Sequence, residues 1–348
     1  LTGVQSGFQG AVMAPTEVLA EQHYLGFRDL FETAGLSPAL EDPNAIDGQV
    51  NMFSQAAKDS GPTIKLALLT ANSVEVNFLP GGTAKRADVV RWIGDGTIEL
   101  IIGTHSLIQE SLNFDRLGIA VVDEQHRFGV AQRLRLGTRG AKRRPHLMVM
   151  TATPIPRSLA LVLYAGLELS IIDEKPPGRV PSTTKMVSRK KRASVFRQIE
   201  RALDAGGRAF VVCPAISASE ELAGVDKTVD EMRAKLGDAR VGIVHGRLSN
   251  EERRASMSEF ASGEVQVLVG TTVLEVGVDI PDANLMVIEQ AERFGLAQLH
   301  QLRGRVGRRG QKSACLLTYA EPLGDEAEAR LQALCETDDG FVLAERDQ

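Results

Sequence analysis

The chain has 348 residues, 43% hydrophobic and 24% charged, with a net charge of −5. That balance describes a globular chain able to bury a sizeable core and divide into about two domains. No apolar run reaches the roughly 18 residues of a membrane helix, and the N-terminus lacks the basic-then-apolar pattern of a secretory signal. A cytoplasmic monomer is expected. Cys213, Cys315 and Cys335 lie far apart, with none of the spacings of a zinc site or disulfide framework, so buried free thiols are expected.

From the N-terminus onward, short β-branched runs alternate with helix-length amphipathic stretches, the pattern of parallel α/β layering. Residues 1–7 read as the end of a helix, 10–14 as a strand and 17–34 as a helix. Residues 37–63, which contain Pro38, Pro43, Gly48, Gly61 and Pro62, read as a surface insertion. A strand over 64–69 follows, then a second irregular insertion over 71–82. Next come a helix over 84–94 and strands over 100–103 and 118–123, the last apolar at each of residues 119–122 as befits the buried centre of a parallel sheet. A strand over 147–151 and a helix over 156–164 close the first half. Pro176-Pro177-Gly178 then breaks the rhythm, which places a domain boundary at about residue 180. The second half carries strands over 209–214, 240–245, 265–270, 285–289 and 314–319, with helices over 194–205, 227–236 and 250–261. Residues 321–348 hold nine acids and two arginines and read as the acidic start of a helical extension. The rest of the chain is slightly basic, with clusters at 133–144, 189–192 and 303–312.

The strand at 118–123 ends in Asp123-Glu124-Gln125-His126. Ligands of open α/β sheets sit at the carboxyl ends of strands, so two adjacent carboxylates there mark a candidate site. One carboxylate suits a magnesium ion and the other a general base; the competing reading is a helix N-cap. Thr16, Thr104, Thr271 and Thr272 are hydroxyl residues just past strand ends, able to donate to backbone phosphates or to serve as caps. Arg305 and Arg308 stand three apart, which on a helix puts both on one face. His126 has no partner at metal-ligand spacing and reads as a hydrogen-bonding neighbour.

These residues fall within a series of motifs. PTEVLAEQHY at 15–24, GTHSLI at 103–108, DEQHRFGV at 123–130, TATPIPR at 151–157, TTVLEVGVDIP at 271–281 and QLRGRVGR at 301–308 resemble motifs Ia, Ib, II, III, V and VI of superfamily-two helicases. The wording of the first and third strings, and of AERFGLAQLHQLRGRVGR at 291–308, is similar to the RecG family. The alternative, the motor of the transcription-repair coupling factor, shares the TATPIPR and FGLAQLHQLRGRVGR strings but is expected to read DEEH where this chain has DEQH. A non-hydrolysing DNA-binding module is a further alternative, against which both halves of an ATPase site speak.

The resemblance implies two tandem RecA-like domains, ATP and Mg²⁺ as cofactors and branched double-stranded DNA as partner. It implies that Asp123 holds the metal, Glu124 is the base, and Arg305 and Arg308 are arginine fingers with Gln301 as a sensor. Gly277 and Asp279 approach the nucleotide, Thr16, Thr104, Thr271 and Thr272 the DNA backbone, and Thr151 and Thr153 couple nucleotide state to lobe closure. Motifs II and VI are then expected to face one cleft.

No GxxxxGK[ST] phosphate loop occurs in the sequence. Its place in such a motor is just before the helix and strand read at 1–14, so the first RecA-like domain is expected to be truncated, with the loop lying upstream. The 348-residue chain alone is predicted to show negligible DNA-stimulated ATP hydrolysis, since nothing in it replaces the loop's backbone cradle and lysine. Turnover above background in a phosphate-release assay on the purified chain contradicts this.

Overall fold

The computed structural model describes residues 2–38, 63–109, 112–124, 144–152, 168–172, 174, 180–214, 218–271, 283–307 and 310–346. The chain falls into two compact units, Leu1–Ala152 and Thr153–Gln348. Each is built on one six-stranded sheet.

Unit 1 contains α1 (Thr2–Gln5), β1 (Gln9–Met13), α2 (Glu17–Thr33), β2 (Leu66–Leu69), β3 (Val74–Val76), α3 (Arg86–Gly94), β4 (Leu100–Gly103), β5 (Leu117–Val122) and β6 (His146–Val149). The strand order is β3-β2-β4-β1-β5-β6, parallel except for the antiparallel β2–β3 pair. All five residues of β1 are buried, as its central place requires. Alternate residues along the strands feed two apolar layers. Ala20, Tyr24 and Phe31 of α2 pack with Val12, Leu66, Leu68 and Ile102 on one face, and Val89 and Ile93 of α3 with Ala11, Met13, Ala67 and Ile101 on the other. Each fully buried side chain of this size contributes about 1.5–3 kcal/mol. Where β4 ends beside β2, a side chain at Gly103 would place its Cβ 2.2 Å from the Leu69 carbonyl, so only glycine lets the strands pair there.

Two expectations for this unit need correction. Residues 71–82 are not a loose insertion: they contain β3, and Val76 and Phe78 are buried, Phe78 meeting Trp92 edge-on at 5.4 Å between ring centroids. A three-residue strand is too short to announce itself by alternation. Nor is the strand over 119–122 buried on both faces, since Ile119 is 41% and Met148 on neighbouring β6 52% exposed. That face of the β5–β6 pair lacks a cover among the described residues.

Unit 2 contains β7 (Thr183–Ser188), α4 (Arg192–Asp204), β8 (Arg208–Val212), α5 (Ala218–Leu236), β9 (Val241–Val244), α6 (Asn250–Ser262), β10 (Val267–Gly270), β11 (Ala283–Ile288), α7 (Leu296–Arg303), β12 (Ala314–Tyr319), α8 (Asp325–Glu336) and α9 (Gly340–Arg346). The strand order β7-β12-β11-β8-β10-β9 is parallel throughout. The period of two is plain in β8. Ala209 and Val211 face a layer with α4 and α5, whereas Phe210 and Val212 face one with α6, α7, α8 and α9. Strand β7, TTKMVS, escaped sequence reading because its polar residues suit a solvent-washed edge, where strands carry a weak apolar signal. The acidic stretch becomes α8 and α9, and Asp325, Glu326 and Glu328 in the first turn of α8 complement the positive end of its dipole.

Cys213 and Cys315 are buried, as expected, but Cys335 is exposed. Burial pushes the Cys213 thiol up to about 11 and that of Cys315 to about 12, so both stay protonated and unreactive at pH 8. A native thiol titration with Ellman's reagent at pH 8 is predicted to modify Cys335 first, the other two reacting only after denaturant is added. Rapid modification of all three in the folded protein contradicts this packing.

Candidate functional site

In unit 1 the candidate residues gather along the carboxyl edge of the sheet. The backbone N–H of Asp123 donates to the Met13 carbonyl at 2.9 Å, which carries the β1–β5 ladder one residue past the strand and fixes the direction in which the carboxylate leaves the sheet. Oδ1 of Asp123 accepts from the Glu124 N–H at 2.9 Å, and Oδ2 lies 2.9 Å from His23 Nε2 on α2. An ionised carboxylate only accepts, so His23 Nε2 carries the proton of that bond.

Glu124 has φ +48°, a left-handed conformation that costs a non-glycine residue about 1–2 kcal/mol. It turns the chain sharply at the strand end and leaves Oε2 3.5 Å from the Ala152 N–H, a long contact. The Met150 N–H donates to the Val122 carbonyl at 2.8 Å, so Thr151 and Ala152 emerge beside the acidic pair. The structure thus brings together Asp123, Glu124 and Thr151.

Thr16, just past β1, is the N-cap of α2, its hydroxyl accepting from the Leu19 N–H at 3.4 Å. The hydroxyl proton remains available to an acceptor from outside. Thr104 is 2% exposed, its Oγ1 3.5 Å from Ser106 Oγ, which donates to the Leu69 carbonyl at 2.6 Å. A phosphate therefore meets Thr104 only if its turn opens.

In unit 2, Thr271 follows β10 and is fully buried, its Oγ1 without a hydrogen-bond partner among the described residues. A native fold leaves few such groups, since each costs about 1–3 kcal/mol. Gln301 lies on α7 and is partly buried. The expectation that Arg305 shares a helical face with Arg308 is corrected, because α7 stops at Arg303 with Gly304 as its C-cap, and Arg305 lies in the following turn. Gly307, at φ +75°, bends the chain further. A Cβ there would fall 2.3 Å from Ser313 Oγ. Thr153, Thr272, Gly277, Asp279 and Arg308 lie outside the described residues, as does His126.

Several groups escaped sequence reading. His23 carried no signal, since its partner lies 100 positions away. Arg303 did: Leu296, Leu299 and Arg303 fall on one face of α7 at the i, i+3, i+7 spacing, and all are buried. Its guanidinium donates to the Leu334 and Thr337 carbonyls at 2.6 and 2.8 Å and lies 2.9 Å from His300 Nδ1.

At the carboxyl ends of β8 and β11, Arg192 pairs with Glu289 at 2.6 Å and Glu231 at 2.7 Å, while Thr318 donates to Glu289 at 2.8 Å. Arg192, Glu231 and Glu289 line a cavity of about 410 Å³ that Arg189, Lys190 and Lys227 also border. Gln290 there has φ +51° and donates its N–H to Thr318 Oγ1 at 3.2 Å.

Residues 51–162 match the family described as DEAD/DEAH box helicase, and residues 191–310 that described as helicase conserved C-terminal domain. The ATP-dependent DNA helicase RecG of Acidithiobacillus ferridurans is 43% identical over 351 residues, and that of Escherichia coli strain K12 42% identical over 354. Both alignments take in 100% of this chain, which spans 46%, about half, of either relative. A solved structure of RecG bound to a three-way DNA junction aligns with 98% of this chain and 40% of its own, at 38% identity and a TM-score of 0.69. On two α/β sheets of the RecA type, the chain is thus similar to DEAD/DEAH box helicases over residues 51–162, to the helicase conserved C-terminal domain over 191–310, and to RecG along its whole length.

Proposed function

We propose that this chain is the motor of an ATP-dependent DNA helicase that remodels branched DNA, in the manner implied by its RecG relatives. The carrying observation is the geometry at the end of β5: a carboxylate held by two donors, followed by a second acid forced into a left-handed conformation. Strain of this kind persists where the surrounding structure over-determines it, commonly at active sites.

In this reading Asp123 is the metal-side carboxylate. No cluster of three His, Cys, Asp or Glu able to hold a metal exists among the described residues. Magnesium fits such a place, because it takes hard oxygen donors and is commonly held by one or two carboxylates completed by substrate phosphates and water. When bound it would neutralise charge developing between the nucleotide's terminal phosphates. Glu124 takes the proton of the attacking water on its carboxylate. Arg305 and Arg308 stabilise negative charge on the phosphoryl group, with fixed charge and a planar fork suited to its oxygens. Gln301 senses that state, Gly277 and Asp279 meet the nucleotide, and Thr151 and Thr153 pass its state to the rest of the motor. The motor's first lobe runs to about residue 180, the second to 320, and the acidic helices beyond begin a further element.

Thr16, Thr104, Thr271 and Thr272 contact the DNA backbone. Thr104 and Thr271 are buried, so for these two the contact requires the strand-end turn to open. Hydroxyls and scattered arginines read shape and backbone, not base sequence.

In the intact protein, Glu124→Gln is predicted to leave nucleotide binding near wild type and lower turnover by about 100-fold or more, the usual weight of a general base. Nucleotide binding measured by fluorescence beside phosphate release checks this. Loss of binding would make Glu124 structural. Binding to three-way junctions of unrelated base sequence is predicted to be equal, tighter than to linear duplexes, and weaker with salt. A strong base-sequence preference with indifference to branching, read by gel shift at two salt concentrations, would overturn the branched-DNA reading.

A further inference from the structure

Helix α2 does more than cover the sheet. Its buried stripe, Ala20, Tyr24 and Phe31, already anchors it to the β-layer. Beside that stripe its first two turns reach the carboxyl edge in two directions. Glu17 accepts from the Asn72 backbone and side-chain N–H groups at 3.1 and 3.0 Å, and Glu21 from Ser73 Oγ at 3.2 Å, fixing the turn after β2. His23 reaches the other way, to Asp123 at 2.9 Å.

We propose that His23 is a positioning residue for Asp123, its Nε2–H at 2.9 Å from Oδ2 setting the carboxylate's orientation for the magnesium ion of a bound nucleotide. The proposal rests on the nucleotide-and-magnesium reading above.

A carboxylate on a strand end rotates freely unless both oxygens are held. Here Oδ1 is held by the following N–H, a bond local to the turn. That single bond leaves rotation about it, and His23 removes this freedom from a separate element. A carboxylate offers about four acceptor sites, so the two bonds seen leave others for a metal or its bound water. Groups that hydrogen-bond a metal's ligand orient it and raise its affinity for the metal.

A stapling role for the pair is the weaker explanation. The two side chains are 28% and 18% exposed, and partly exposed pairs add little to stability. Helix α2 has its own apolar anchor, its N-cap at Thr16 and the Glu17 and Glu21 contacts. His23 is surplus to that task.

The test uses the intact protein and a non-hydrolysable fluorescent ATP analogue, titrated with Mg²⁺. The variants are His23→Leu, which keeps bulk and removes the donor, and His23→Gln, which returns an N–H at similar reach, with Asp123→Asn as control. His23→Leu is expected to raise the Mg²⁺ concentration for half-maximal binding by about tenfold or more, the usual effect of removing such a partner. His23→Gln should recover most of it, and binding of the analogue in EDTA should match wild type. Thermal unfolding shows whether His23→Leu folds. If it does not, His23→Ala takes its place. An unchanged Mg²⁺ dependence in a folded donor-less variant, or a Gln variant no better than Leu, overturns the proposal alone, provided Asp123→Asn impairs Mg²⁺-dependent binding. Wild-type binding indifferent to Mg²⁺, or a silent Asp123→Asn, overturns the metal role of Asp123 and this proposal with it.

Discussion

The bond from the Asp123 N–H to the Met13 carbonyl governs much of unit 1. It extends parallel pairing beyond the end of β5, so that the residue carrying the carboxylate is still part of the sheet while the next one is not. The abrupt turn at Glu124 follows from that boundary, since a chain leaving a buried strand beside a helix must bend at once. The same pairing holds β1 beside β5, and β1 feeds directly into α2 through Thr16. Neighbouring strands thus deliver both an acid and the helix that steadies it. Parallel sheets put all such exits on one edge, and the chemistry gathers there.

Unit 2 solves a different problem, the holding of one buried and one half-buried guanidinium group, in two ways. Arg192 is neutralised by Glu289 and Glu231, and Thr318 satisfies the second oxygen of Glu289. Arg303 is held through backbone carbonyls. It donates to the Leu334 and Thr337 carbonyls at the C-terminus of α8, where the helix dipole offers partial negative charge and carbonyls lack partners within the helix. Removing Arg192 leaves the buried Glu289 carboxylate without its cation, and removing Arg303 leaves the Leu334 carbonyl without its donor. Of the arginines of QLRGRVGR, the first is therefore structural. The later ones, Arg305 and Arg308, are the proposed arginine fingers, and Arg305 stands beyond the end of α7.

Much of this was legible in the residues. Continuous apolar runs gave the central strands, and Asp123 and Glu124 announced themselves by following one. What stayed hidden had one of three causes. β3 and β7 are short or polar edge strands, whose stability comes from pairing and not from their own pattern. The exposure of Ile119 depends on what neighbours β5, which no single strand encodes. The partners of His23 and Arg192 are long-range, 100 and 97 positions away, and only the topology brings them together. The helical face read for Arg305 and Arg308 missed for another reason: their three-residue spacing suits a helix, but the helix ends at Arg303 with Gly304 as its C-cap.

The two positive-φ non-glycine residues among those described, Glu124 and Gln290, occupy corresponding places in the two units. Glu124 comes two residues past the end of β5, and Gln290 two past the end of β11. Each follows an acid held by other elements: Asp123 by His23, Glu289 by Arg192 and Thr318. Loop sterics alone would favour glycine or asparagine at such turns. Glu and Gln stand there at about 1–2 kcal/mol of backbone strain each, and the turn sets where each side chain leaves the sheet. In unit 1 that place is beside a carboxylate suited to a metal. In unit 2 it is the rim of a cavity lined by Arg189, Lys190, Arg192 and Lys227 together with Glu231 and Glu289, where Lys190 and Arg192 are already paired with carboxylates. The two sheets thus use one device, an anchored acid followed by a strained polar residue.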